Sequence, residues 1–171
     1  ITVLVTTVFG VLNGFLVSCC KIPPFVATMG TQYLAQGIGY IVSRVQTMRY
    51  PVVTSPDGWF KRVFYKSLNG FPMGVIYMVI LFVIASFIFR YTKIGKYACA
   101  IGSNCEATRL SGVDTRRWTM LVYIIAGVFA GLAGIFYSAT YTSVLPGSGS
   151  GMEMNAIAAV VIGGTSLSGG S

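Results

Sequence analysis

The chain has 171 residues, of which 54% are hydrophobic and only 9% charged, and it contains no histidine. A soluble domain of this size would carry about a quarter charged residues, so this composition and a mean hydropathy of +0.75 place the chain in a membrane. The net charge of +8 does not indicate nucleic acid, because the basic residues fall between apolar runs, where lysine and arginine flank membrane spans.

Taken in order, residues 1–20 are uncharged and long enough to cross a hydrocarbon core of about 30 Å. No basic segment precedes them, so they do not read as a signal peptide. Gly10 and Gly14 form a small-xxx-small pair that lets a neighbouring helix approach closely, and Asn13 beside them is expected to hydrogen-bond across that contact. Lys21 ends this span, and Pro23-Pro24 open the next, 24–43, since proline suits the first turn of a helix. Here Thr28, Gln32 and Gln36 recur every four residues and share one face. Such a face reads either as interhelical hydrogen bonding or as the polar wall of a solute path, because amides in hydrocarbon need partners.

Residues 44–70 turn polar, with Pro56-Asp57-Gly58 as a turn signal and Trp59-Phe60 with Val63-Phe64 as a short interfacial helix. A third span, 68–89, is the most uniformly apolar and is expected to face lipid over much of its surface. The stretch Arg90–Arg117 holds six basic and two acidic residues and reads as a loop with one small helix, about Asn104 to Ser111. Ser103 and Glu106 have capping-box spacing, and Gly112 stands where a left-handed residue would end the helix. Glu106 near its start and Arg109 near its end suit the helix dipole. A helix this short is marginal unless it docks against something, which makes it a candidate partner-binding element.

Trp118 marks an interface, and 118–141 forms a fourth span with Gly127, Gly131 and Gly134 along one face, a helix-packing surface. Pro146 to Gly151 is a loop without the strand-turn-helix setting of a dinucleotide site. Glu153 then enters a last span, 154–171, whose glycine- and serine-rich end cannot make a robust lipid-facing helix. The sequence thus predicts an all-α, polytopic transmembrane bundle of about five spans in a single domain, 1–171. With neither methionine at the start nor a designed stop, it reads as part of a longer protein.

The chemistry open to the chain is narrow. Histidine-based acid–base work, Ser-His-Asp triads and histidine–metal sites are excluded. Cys19, Cys20, Cys99 and Cys105 lack metal spacing, and Gly95-Lys96 lacks the upstream glycine of a P-loop. No metal or cofactor is expected, the chain does not read as an enzyme, and any ATP that powers it binds another chain. Alternating spans put Lys21 and the central loop on one side and 44–70 on the other. The basic count, seven against five, favours the central loop as cytoplasmic.

Three blocks resemble the membrane permease of bacterial ABC importers for monosaccharides of the ribose/galactose/xylose type. They are Lys21 to Thr31, Gly95 to Gly112, and Glu153 to Gly170. The resemblance implies a multi-pass protein of the bacterial inner membrane and a permease of around ten spans that pairs with a second copy. It also implies two cytoplasmic ATPase domains and a periplasmic or lipid-anchored sugar-binding protein as partners, with membrane lipid around the spans and no nucleic acid. By the same resemblance Glu106, Ala107 and Gly112, with Ser103, Arg109 and Leu110 around them, form the loop that seats in the ATPase. The family usually has a second alanine where this chain has Thr108. Relatives that carry branched-chain amino acids, nucleosides or autoinducers, and a passive channel, remain alternatives. The uncharged Thr28/Gln32/Gln36 face leans towards neutral polyols, since a zwitterion would call for a charged or helix-terminus site.

Overall fold

The computed structural model describes residues 1–49, 67–68, 71–141 and 143–164. The interfacial helix expected around Trp59 and Phe64, and the glycine-serine run after Gly164, lie outside the described residues. The chain folds as α1 (Thr2–Ser18), α2 (Pro24–Ser43), β1 (Met48–Arg49), β2 (Ser67–Leu68), β3 (Phe71–Pro72), α3 (Met73–Tyr91), α4 (Lys93–Ser103), α5 (Cys105–Leu110), α6 (Thr115–Thr140), β4 (Ser143–Val144) and α7 (Met152–Ile162). It is nearly all-helical, with two antiparallel pairs of two-residue strands, β1 with β4 and β2 with β3.

Among the described residues only α3 and α6 are both long and apolar enough to cross a membrane. α1 has 17 residues, about 26 Å at 1.5 Å per residue, and α2 has the length, 20 residues, but its glutamines and other polar residues leave it less apolar. The figure of about five spans therefore rests on the sequence pattern alone. The third span starts later than expected, because 67–68 and 71–72 pair as a hairpin ahead of Met73. In the expected last span, α7 covers Met152–Ile162 and Gly164 has φ +91°, while residues 165–171 lie outside the described residues.

The centre of the fold is the seam between α1 and α6. Gly10, Gly14, Gly127 and Gly131 are all buried there. A Cβ on Gly10 would stand 2.7 Å from the Tyr123 carbonyl oxygen, and one on Gly127 would stand 2.7 Å from the Thr6 carbonyl oxygen. The two backbones touch, as small residues permit in a bilayer. Gly134 lies at the edge of the seam, where a Cβ would meet Thr2 Cγ2 at an ordinary 3.8 Å. Asn13 turns away from this seam and accepts a hydrogen bond from Thr31 Oγ1 of α2 at 2.7 Å. α3, in contrast, buries no residue, and Phe82, Met78 and Phe87 stand open. An apolar surface of that extent needs lipid or protein over it.

The seam and strands define two ends. Ser18 and Lys21 lie beside Cys105, Arg109 and Arg116 around a cleft of about 430 Å³ at one end. At the other, Met48 and Arg49 pair with Val144 and Ser143. Lys21 and the central segment therefore lie together at one end, with 48–49 and 143–144 at the other.

Candidate functional site

The central segment is more ordered than a loop. Ile94, Tyr97, Ala98 and Ile101 recur at helical spacing, and all four are partly buried on one side of α4, next to buried Gly95. The corner between α3 and α4 is tight enough that a Cβ on Gly95 would overlap the Phe89 carbonyl. Tyr97 packs at a tilt against Trp118 of α6, ring centroids 4.6 Å apart and planes 46° from parallel. α4 is thereby fixed between α3 and α6, and it carries α5 at its end.

The expected capping box is not formed. Ser103 belongs to the last turn of α4 and donates to the Ala100 carbonyl at 3.0 Å. Asn104 is the N-cap instead, its Oδ1 accepting from the Ala107 N–H at 3.0 Å. The register shifts by one because α4 runs on through Ser103 and leaves Asn104 as the first residue with extended backbone, the conformation an N-cap requires. Gly112 has φ +83°, a left-handed value that glycine adopts without steric cost.

Within α5 only Thr108 is buried. Its hydroxyl donates to the Ala100 and Asn104 carbonyls at 2.9 and 2.8 Å, tying α5 to the end of α4. The position where the family usually has alanine thus faces inward here. Glu106 and Arg109 form an ion pair at 3.0 Å, with side chains 72% and 67% exposed; a pair so open to water contributes little to stability. Ala107 is exposed, and Leu110 is 82% exposed. The surface that α5 turns outward is a small apolar stripe beside a balanced charge pair.

The other candidate face, on α2, divides. Thr28 and Gln32 line a cleft of about 340 Å³ between α1, α2 and α6, together with Thr6, Asn13, Thr31 and Tyr123. The Thr28 hydroxyl is spent on its own helix, donating to Pro24 O and Phe25 O. Gln36 lies farther along, against Gly147. The Gln32 side chain lies beside the Glu153 carboxylate, a proximity that nothing in the spacing of either residue announces.

Residues 1–170 match the family described as branched-chain amino acid transport system / permease component. The ribose import permease protein RbsC of Escherichia coli K12 is 36% identical over 163 residues, covering 94% of this chain and 50% of the relative. The D-allose transport system permease protein AlsC of the same strain is 35% identical over 168 residues, covering 98% and 50%. The fructose import permease protein FruF of Bifidobacterium longum is 34% identical over 164 residues, covering 94% and 45%. The chain spans about half the length of the curated relatives it matches. No solved structure matches it.

Proposed function

The chain belongs to the branched-chain amino acid transport system / permease component family, and from that premise we propose that it is part of the transmembrane subunit of an ATP-driven sugar importer. The named relatives are permeases for ribose, allose and fructose, three monosaccharides, which favours sugar over the amino acids in the family's description. In this reading the single domain sits in the bacterial inner membrane as a multi-pass protein and pairs with a second copy. A sugar-binding protein supplies solute at the Met48 end, and a cytoplasmic ATPase docks at the Lys21 end. The chain makes and breaks no bonds; it shifts between two states whose balance the ATPase biases.

The observation that carries this reading is the outward face of α5. A two-turn helix held by its own cap, its buried Thr108 and Gly112 leaves Glu106, Ala107, Arg109 and Leu110 uncovered. Leu110, almost wholly in water, is what an apolar cleft in a partner would take. A passive channel leaves that stripe without purpose. The test uses the whole importer in liposomes with the Glu106→Lys variant. Its exposed ion pair does not support the fold, so insertion is expected to be normal while ATPase association and sugar uptake fall at least tenfold. Unaltered ATP-driven uptake would overturn the docking assignment.

A further inference from the structure

The polar face of α2 is not an open wall, because the chain that follows α6 lies on it. After β4 pairs with β1, residues 145–151 run back along α2 rather than away from the bundle. Gly147 comes first: a Cβ there would stand 2.7 Å from Gln36 Nε2 and 2.8 Å from the Tyr40 hydroxyl. Ser148 follows, its carbonyl accepting from the Tyr137 hydroxyl of α6 at 3.1 Å. Glu153 comes last, its carboxylate beside the Gln32 side chain and accepting from the Gly151 N–H at 3.0 Å.

Gln32 lies about three turns, about 16 Å, from the Ser43 end of α2. The returning chain therefore reaches the middle of that helix. It satisfies part of its own backbone through successive turns, with Ser148 N–H to Leu145 O, Ser150 N–H to Gly147 O and Met152 N–H to Gly149 O. Non-helical backbone at membrane depth survives only where protein or a water-filled cavity covers it. Here α2 covers one flank, while Ser148, Gly149 and Ser150 are exposed on the other.

The fastening is light. Glu106 and Asp114 each pair with an arginine, but Glu153 has no cationic partner among the described residues; it accepts from the neutral Gly151 N–H and lies beside the Gln32 amide. A contact open to solvent exchanges readily with water or with a hydroxylated solute, because folding only trades one hydrogen-bond partner for another there. We propose that residues 145–151 are a strap seated on Gln36 and Tyr40, that Gln32 and Glu153 are the positioning residues that fasten it, and that it must lift from α2 for a neutral polyol to pass. This rests on the reading of the chain as part of an import path.

The experiment uses the complete importer in liposomes, with Cys19, Cys20, Cys99 and Cys105 replaced by serine. Gln36→Cys and Ser148→Cys are combined and bridged with a short bis-thiosulfonate reagent. Bridging is expected to lower ATP-driven sugar uptake at least tenfold, with full recovery on reduction and unchanged ATPase association. A bridged protein that transports at the unbridged rate would overturn the strap, as would correctly inserted protein in which no bridge forms. Separately, labelling of a lone Ser148→Cys by an impermeant maleimide should speed up several-fold in Gln32→Leu. It should return to the parent rate in the exchanged pair Gln32→Glu with Glu153→Gln; equal labelling in all three would refute the fastening. If the reduced protein takes up no sugar, the import reading fails, and the labelling rates decide the strap by themselves.

Discussion

The α1–α6 seam and the short helix α5 spend their residues in opposite directions. In the seam, Gly10, Gly127 and Gly131 bring two backbones into contact, and nothing is left over for a partner. In α5 a single residue, Thr108, is buried, while Ala107 and Leu110 stand open to solvent and Cys105, Glu106 and Arg109 border an open cleft. A contact completed within the chain has no room for an added carbon. A surface whose partner is elsewhere absorbs substitutions without cost to the fold, so the same chemical change should read as lost stability in one region and lost association in the other.

The sharpest break of that contrast is Gly131→Val. Its Cβ would stand 2.8 Å from the Val3 Cα, and backbone does not yield as a side-chain tip does. Overpacking costs about 1–3 kcal/mol or more, so thermal unfolding in detergent should show a large drop in stability. Leu110→Asp should do the reverse, holding stability within about 0.5 kcal/mol of the parent while ATPase co-purification falls at least tenfold. Comparable destabilisation by both would erase the distinction. Thr108→Val sits between them: it loses the hydroxyl bonds to Ala100 and Asn104, about 1 kcal/mol, and should appear as faster amide exchange across 104–110. Smallest is Gly134→Ala, whose Cβ meets only an ordinary contact. A gain in helix propensity of up to about 1 kcal/mol offsets any crowding, and a loss as large as that of Gly131→Val would show that the seam extends farther than described.

The helical class of the fold was legible because long runs without charge mark helices of this kind. α2 begins at Pro24 as the two prolines predict, and the glycines of the first and fourth spans lie against one another. α4 was missed although its signal was present. Ile94, Tyr97, Ala98 and Ile101 have helical spacing, but Gly95, Gly102 and three basic residues nearby read as a loop. The capping register followed from that error, since Asn104 can be recognised as the cap only once α4 is known to continue through Ser103. At the α2 face, the four-residue spacing shows that Thr28, Gln32 and Gln36 lie together. It cannot show that Gly147 and Glu153, more than a hundred residues on, come back to that face, because the meeting depends on tertiary path and leaves no local pattern.

The pairing of Gly10 with Gly127 also sets a timetable. At about 5–20 residues synthesised per second, on the order of ten seconds pass between the making of the two. For that interval α1 waits with its narrowest surface bare, and whatever shields it then must give way when α6 arrives. Variants of the seam should consequently betray themselves during biogenesis, as polypeptide cleared by quality control, before any shortfall in transport could be measured.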